Sequence, residues 1–204
     1  MTIVLKDIYK KYKKLVVLDF TFLEINEGYS YMLLGENGSG KSTLIKMILN
    51  HTKYEGKITN TFRTISYIPE RVNLPLFMKV REFLENIILI KGVQTFDLDY
   101  LLEYFDLKVK EKESIKNLSK GMRQKLILIT GLALDVDLYI LDEALNGLDK
   151  KMQDKLLKYL EELKTKGKTI IYTTHYEKYF ANFSDYIIRL EDHKAYVSEN
   201  QTSS

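Results

Sequence analysis

The sequence predicts an α/β fold whose core contains a parallel sheet, joined to a small antiparallel β lobe and a helical lobe. Two observations support this class. Residues 29–34 form an apolar run that leads into a glycine-rich loop and then into a helix-like stretch at residues 42–49. Residues 138–141 and 169–173 are short apolar runs of the buried parallel-strand type, separated by an amphipathic helix at about residues 151–166. Strand, helix, strand in this order is typical of a parallel sheet.

The other elements follow from hydrophobic spacing and from turn residues. The middle third, residues 71–135, is predicted to be the helical lobe. Its helices are expected at residues 80–90, 98–107 and 123–134. Further strands are expected within residues 3–25, on either side of a lysine-rich turn, and at residues 56–58, 64–68, 186–190 and 195–197. Residues 199–204 form a polar tail that we expect to fray.

Composition limits the classes of protein that the chain can belong to. It has 204 residues, of which 45% are hydrophobic, so we expect a single domain over residues 1–204. The net charge of +3 gives no indication of a nucleic-acid partner, and the basic run of Lys10, Lys11, Lys13 and Lys14 is typical of a solvated turn. The absence of cysteine excludes disulfides, thiolate catalysis and cysteine-ligated metal centres.

No targeting or membrane-spanning segment is expected. The first residues lack the basic and long apolar regions of an export signal. The longest apolar stretches, such as residues 126–134, fall short of the ~18 residues that a spanning helix needs. The sequence therefore favours a cytoplasmic protein, and any role at a membrane would depend on a partner.

A complete phosphate-binding loop lies between the strand at residues 29–34 and the following helix. Its residues are Gly35, Glu36, Asn37, Gly38, Ser39, Gly40, Lys41, Ser42 and Thr43. The glycines allow backbone N–H groups to surround phosphate oxygens, and the helix directs its positive end at the same place. Lys41 is expected to reach the β- and γ-phosphates, and Ser42 to offer its hydroxyl to Mg²⁺. An ordinary turn is the alternative, but the spacing and the flanking elements favour the core of a phosphate-loop nucleoside triphosphatase (NTPase) that binds ATP.

A pair of carboxylates, Asp142 and Glu143, ends the strand at residues 138–141. In a phosphate-loop ATPase the first carboxylate holds Mg²⁺ and the second polarises the attacking water. The alternative is that the pair only caps the helix that follows. The phosphate-binding loop upstream favours the catalytic interpretation.

A third motif, residues 117–124, is a turn containing Ser119 and Gly121 that opens the helix at residues 123–134. With this motif the chain resembles the nucleotide-binding domain of ATP-binding cassette (ABC) proteins, whose signature is Leu-Ser-Gly-Gly-Gln or a close variant. Lys120 and Met122 depart from that consensus. The resulting Leu-Ser-Lys-Gly-Met form is similar to that of bacterial ABC exporters of drugs and antimicrobial peptides. The resemblance covers nearly the whole chain.

The resemblance assigns roles to four further positions. Tyr12 matches the aromatic residue that stacks on adenine, with Tyr9 as a neighbouring alternative. Residues 146–149 match the D-loop, and His175 matches the switch histidine that contacts the γ-phosphate. Glu70 stands where the family usually has Gln, at the loop that joins the core to the helical lobe, so the resemblance implies that it touches Mg²⁺ and the catalytic water.

The resemblance also implies a mode of action. Two such domains face each other head to tail, as a homodimer or a pair of related ATPases. Each ATP lies between residues 38–43 of one subunit and Ser119 and Gly121 of the other. The first hypothesis is therefore that the chain is the Mg²⁺-dependent ATPase of a transporter, and export is the expected direction. It would act at the inner face of the cell membrane, bound to separate permease subunits. The alternative is a soluble ABC ATPase that acts in translation or cofactor assembly.

Overall fold

The computed structural model describes residues 1–174 and 177–200. His175, Tyr176 and residues 201–204 lie outside the described residues. The strands are β1 (Thr2–Tyr12), β2 (Leu15–Asn26), β3 (Ser30–Leu34), β4 (Glu55–Asn60), β5 (Ile65–Ile68), β6 (Leu138–Leu141), β7 (Thr169–Thr173), β8 (Tyr186–Glu191) and β9 (Lys194–Glu199). The helices are α1 (Lys41–Ile48), α2 (Val80–Lys91), α3 (Leu98–Tyr104), α4 (Lys120–Leu132), α5 (Lys150–Thr165) and the single turn α6 (Glu177–Phe180).

The described strands form two sheets. The first is antiparallel, with the order β2-β1-β4. The second has the order β5-β6-β7-β3-β8-β9, and its strands are parallel except for β9, which pairs antiparallel with β8 at the edge. The predicted α/β class, with a parallel core sheet and a small antiparallel β lobe, is confirmed.

Alternation along the buried strands divides the apolar residues between two cores. In β6, Leu138 and Ile140 pack with α1 and the antiparallel sheet. Tyr139 and Leu141 pack on the other face, with α2 to α5. Because successive side chains of a strand point to opposite faces, a strand covered on both sides must be apolar throughout. This explains why apolar and polar residues do not alternate along β3, β6 and β7.

The parallel sheet brings three loops together. Strands β6, β7 and β3 are neighbours in the sheet and run in the same direction. The phosphate-binding loop, the carboxylate pair and the segment after Thr173 therefore emerge side by side at the carboxyl edge, where ligands bind in open α/β sheets.

Two local expectations are wrong. Lys10 was expected in a solvated turn, but it lies on the inward side of β1, opposite Leu18, and only 8% of it is exposed. The tail was expected to fray from residue 199, but Glu199 pairs with Tyr186. Asn200 is held in place as well, since its side-chain amide donates to the Ser184 carbonyl oxygen at 2.8 Å. The predicted single domain and the boundaries of the helical lobe, 71–135, stay predictions, although α2, α3 and α4 fall within those limits.

Candidate functional site

The phosphate-binding loop connects β3 to α1, and its shape depends on glycine. Gly35 has φ +153°, and a Cβ atom added there would lie 2.4 Å from Ser39 Oγ and 2.7 Å from the Leu190 carbonyl oxygen. Gly40, with φ +104°, precedes the first residue of α1 and packs against Leu18. Both positions need a backbone conformation that other residues rarely adopt, and together they aim the start of α1 into the loop.

Two polar groups of the loop fit a phosphate ligand. The Lys41 ammonium donates to the carbonyl oxygens of Gly35 and Glu36, at 2.6 and 3.1 Å, so it lies across the loop. Ser39 Oγ is buried and has no hydrogen-bond partner among the described residues. A buried hydroxyl of this kind requires an explanation, and a phosphate oxygen would satisfy it.

A cleft of about 290 Å³ gathers about half of the predicted site residues. It is lined by Tyr12, Val17, Asn37, Gly38, Gly40, Lys41, Ser42, Thr43 and Glu143. A second cleft, on the other side of the loop, reaches Arg189 and His193. Only the first cleft brings an aromatic ring, the loop cations and hydroxyls, and a carboxylate to one place, so we take it as the nucleotide site.

The carboxylate pair is organised by Thr173 at the end of β7. The Thr173 hydroxyl donates to Asp142 Oδ1 at 2.9 Å and accepts from the Glu143 backbone N–H at 2.7 Å. Asp142 is only 7% exposed, whereas Glu143 lines the cleft. Glu143 has φ +51°, an uncommon conformation outside glycine that is found at functional sites. The turn gives two adjacent carboxylates different surroundings.

Further contacts orient both carboxylates. Asn146 Nδ2 donates to Glu143 Oε2 at 2.9 Å. The Tyr67 hydroxyl lies 3.5 Å from Asp142 Oδ2. Burial, followed by the negative charge of Asp142, raises the pKa of Tyr67 to about 12. Tyr67 therefore remains a neutral O–H donor toward Asp142 at physiological pH.

Tyr12 is the aromatic residue of this cleft. It is 46% exposed and lines the cleft with the first turn of α1, whereas Tyr9 does not. A hydrogen bond with the Thr52 side chain has the largest effect on the pKa of Tyr12 and lowers it, and a bond with Thr43 acts in the same direction. The structure thus brings together Tyr12, rather than Tyr9, and the phosphate-binding loop.

The turn of residues 117–124 lies outside this cleft. Exposed Ser119 is the N-cap of α4, and its hydroxyl accepts from the Met122 N–H. Gly121 packs near the Gly147 carbonyl oxygen, which would lie 3.6 Å from a Cβ atom added at Gly121. Gln124 Nε2 donates to the Ala144 carbonyl oxygen at 3.0 Å. The turn is therefore attached to the segment that follows the carboxylate pair but makes no part of the same cleft.

The Glu70 side chain does not line the cleft. The Glu70 carboxylate, 40% exposed, instead pairs with Arg71 Nε at 3.3 Å. Its proposed contact with a metal stays a prediction. His175 lies outside the described residues, and its role as the switch histidine stays a prediction as well.

Sequence reasoning missed Thr173 and Val17. Thr173 had a usable signal, since it is a polar residue at the end of a buried strand whose neighbour ends in the carboxylate pair. Val17 had none, because a valine in an edge strand is ordinary.

With this geometry established, comparison with known proteins identifies the family. Residues 18–146 match the family model described as ABC transporter. The chain belongs to the ABC transporter family. It is an ATP-binding, ATP-hydrolysing domain of that family. The predicted resemblance is confirmed.

Curated relatives include transporter ATPases. The chain is 34% identical to the ABC transporter ATP-binding protein YthP of Bacillus subtilis, over 78% of this chain and 70% of that protein. It is 32% identical to the Nod factor export ATP-binding protein I of Rhizobium etli, over 91% of this chain and 64% of that protein. The chain thus spans about two thirds of the length of these relatives.

Solved structures share the fold of this ABC domain. The structure of an ATP-binding subunit of an ABC transporter superposes with a TM-score of 0.88 at 28% identity, covering 98% of this chain and 90% of that one. The ADP conformation of MJ1267, an ATP-binding cassette of an ABC transporter, gives a TM-score of 0.77 at 22% identity, covering 98% and 91%. At 22% identity, this second likeness extends to the fold alone.

The residues at the site suit Mg²⁺ held together with a phosphate ligand. Within residues 1–174 and 177–200, no three acidic or histidine side chains cluster as a metal-binding group. Mg²⁺ commonly takes one or two carboxylates, waters and substrate phosphates rather than a full protein cage. The Ser42 hydroxyl and the Asp142 carboxylate fit such a partial set. None of the described helices combines the length and apolarity needed to cross a bilayer.

Proposed function

We propose that this chain is the Mg²⁺-dependent ATPase subunit of a bacterial ABC exporter, which works as an ATP-sandwiched dimer on separate membrane subunits. One observation carries the proposal. The Glu143 carboxylate lines the same cleft as Lys41, Ser42 and Tyr12. A base, a triphosphate cradle and an aromatic platform thus converge where a nucleotide would lie.

The binding half of the proposal rests on charge and stacking. Lys41, together with the backbone N–H groups of the loop and the N-terminus of α1, neutralises the triphosphate. Tyr12 stacks on the base. These interactions account for the selection of a nucleoside triphosphate.

The hydrolytic half assigns separate roles to the two carboxylates. Asp142 and Ser42 would hold Mg²⁺, which when bound would offset charge on the phosphoryl oxygens. Glu143 orients the attacking water and accepts its proton. Two hydrogen bonds hold Glu143 in place: the Asn146 side-chain amide donates to its carboxylate, and its own backbone N–H donates to the Thr173 hydroxyl. Pre-orientation of this kind lowers the barrier because little reorganisation remains at the moment of reaction.

The dimer completes each site. Ser119 and Lys120, at the start of α4, are exposed and lie outside the cleft of their own chain. The N-terminus of α4 is suited to a γ-phosphate presented by a second subunit. Because ATP contacts both subunits only when they are closed, its binding favours closure and its hydrolysis favours opening. His175 and Glu70 are proposed to respond to the γ-phosphate and the metal at this stage.

The membrane partner is proposed to dock on the helical lobe beside the Glu70 loop. Phe77 is 83% exposed and Leu76 is 43% exposed, whereas Leu74 and Met78 pack against the core. The Lys116 ammonium lies 5.3 Å from the centre of the Phe77 ring, which holds the ring at the surface. The similarity to a Nod factor export protein supports the exporter direction. Such docking would place the chain peripherally at the cytoplasmic face of the membrane.

Purification from detergent-solubilised membranes tests the transport role. We expect a multi-spanning membrane protein to co-purify with the wild-type chain, and much less of it with Phe77→Ser. Val109→Ser is the matched control, since Val109 is 84% exposed and lies in the same lobe but outside the proposed surface. Co-purification with ribosomes or assembly factors instead would favour the soluble ABC ATPase.

A further inference from the structure

Lys10 is a buried cation in the antiparallel lobe. Lysine is almost never buried without a carboxylate partner, because removal of its charge from water is costly. Lys10 is nevertheless 8% exposed. It takes part in no ion pair within the described part of the chain. Its burial therefore indicates another interaction that favours a positive charge at this place.

Three groups surround the Lys10 ammonium. It donates to Thr52 Oγ1 at 2.9 Å and to the Lys53 carbonyl oxygen. It also lies 4.4 Å from the centre of the Tyr12 ring. A cation at this distance is attracted by the negative face of an aromatic ring, and the attraction is larger where water is excluded. The ring of Tyr12 thus acts as the partner that a carboxylate would usually supply.

The same contacts fix the orientation of the ring. Thr52 accepts from the Lys10 ammonium at 2.9 Å, and its side chain has the largest effect on the pKa of Tyr12, which it lowers, so Thr52 lies beside both residues. Thr43, in the first turn of α1, lines the cleft with Tyr12 and also lowers the pKa of Tyr12. A continuous set of contacts therefore connects Lys10, through Thr52 and Tyr12, to the phosphate-binding loop.

We propose that Lys10 is a positioning residue that holds the Tyr12 ring as a stacking platform for the purine base of the nucleotide. The inference rests on the proposed role of Tyr12 in ATP binding. Since Lys10 occupies one face of the ring, a base stacks on the opposite face. The ammonium also draws electron density from the ring, which strengthens its contact with an electron-rich purine.

This role predicts an effect that depends on the base. A residue that acts through the ring affects ligands that have a base and leaves a bare triphosphate unaffected. A residue that acts through its charge on the phosphates, or only through folding, changes both. Comparison of ATP with inorganic tripolyphosphate therefore separates the two roles.

The test measures the Kd of ATP and of tripolyphosphate, each with Mg²⁺, by calorimetry for wild type, Lys10→Met, Lys10→Arg, Tyr12→Ala and the double variant Lys10→Met/Tyr12→Ala. Lys10→Met keeps the apolar stem and should weaken ATP binding about 3- to 30-fold, the range expected for a buried cation–π contact. Lys10→Arg should restore most of the loss. Tripolyphosphate binding should change less than about twofold in every variant.

Coupling between the two residues decides the outcome. In the Tyr12→Ala background, Lys10→Met should have no further effect on ATP binding. The matched control is Lys11→Met, since Lys11 is exposed and lies over the Tyr9 ring instead. Additive losses, or equal losses for ATP and tripolyphosphate, would overturn the proposal.

Two further results distinguish a failure of this inference from a failure of the proposed role of Tyr12. If Tyr12→Ala leaves ATP binding intact, the base platform itself is wrong, and the inference fails with it. If Tyr12→Ala weakens ATP binding and Lys10→Met does not, only the inference fails. Should Lys10→Met not fold, Thr52→Val removes the hydroxyl that accepts from the Lys10 ammonium and must show the same loss selective for ATP.

Discussion

Replacement of Thr173 by valine removes one hydroxyl that serves both carboxylates. Thr173 is fully buried, and valine has nearly the same shape. The substitution deletes the 2.9 Å bond to Asp142 Oδ1 and leaves the Glu143 N–H without its 2.7 Å acceptor. The change therefore tests whether β7 positions the catalytic pair.

The expected loss of stability follows from these two bonds. A hydrogen bond to a charged group contributes ~1.5–3 kcal/mol, and a bond from a backbone N–H contributes ~0.5–1.5 kcal/mol. Since the added methyl group recovers part of the loss, we expect the free energy of unfolding to fall by roughly 2–4 kcal/mol. For a chain of this size the Tm should decrease by about 4–16 °C. The misplaced Glu143 should lower kcat by roughly 10- to 100-fold.

The assay combines thermal unfolding with steady-state phosphate release. Thr173→Ser keeps the hydroxyl and should retain most of the stability and the activity. Thr169→Val is the matched control, because Thr169 is equally buried in β7 and loses a single bond, from the Gly28 N–H at 2.9 Å. It should reduce Tm while leaving kcat at temperatures below unfolding near the wild-type value.

The reasoning would be refuted by a Thr173→Val protein with wild-type Tm and kcat. It would also be refuted if Thr169→Val lost as much kcat as Thr173→Val, since the effect would then reflect general destabilisation of the strand.

Two further changes test the site, and a third tests the stability of the fold. Lys41→Ala should lower ATP turnover by roughly 100-fold or more, because the ammonium offsets triphosphate charge at binding and in the transition state; turnover near wild type in a phosphate-release assay would contradict this. Glu70→Gln should keep its activity, whereas Glu70→Ala should reduce turnover and raise the Mg²⁺ concentration required, since a side-chain oxygen at the metal is needed more than its charge; identical Mg²⁺ curves for the three proteins would make Glu70 a surface carboxylate. Burial raises the pKa of Asp185, but hydrogen bonds from Lys164 and Ser30 lower it to below its ordinary value. Its contribution to stability is therefore complete above the ordinary pKa and is lost as the pH falls through the lower folded value. Urea unfolding should show a flatter acid limb for Asp185→Asn, and superimposable pH profiles would oppose the assignment.

Local patterns were sufficient for most of the fold. Buried strands such as β6 have no polar residue, and the helices end at capping signals such as Gly92 after α2. Both signals lie within a few residues of the element that they define. The sequence therefore predicted the element order and the α/β class.

The contacts that organise the cleft could be identified only from the three-dimensional structure. The loop and the carboxylate pair were recognisable because each is a short motif on one connection. The contact of Thr173 with Asp142 joins residues 31 positions apart in sequence, and Lys10 reaches Thr52 from 42 positions away. Such pairings depend on strand order, which single-sequence patterns do not specify.

Lys10 also shows how composition misleads. A run of four lysines within five positions predicts a solvated turn, and Lys13, at φ +54°, does lie in the turn between β1 and β2. Lys10 precedes that turn on the inward side of β1. The side that a strand residue faces follows from the register with its neighbours, here Lys10 opposite Leu18.

ATP-dependent dimerisation tests the central claim most directly. Glu143→Gln should bind ATP but not hydrolyse it, because an amide is a poor proton acceptor, and so it should form a dimer that size exclusion with light scattering resolves. Addition of Ser119→Arg should leave ATP binding intact and return the protein to a monomer, since the arginine would fill the γ-phosphate position offered to the partner. A Glu143→Gln protein that stays monomeric with saturating ATP, or a double variant that still dimerises, would contradict the account.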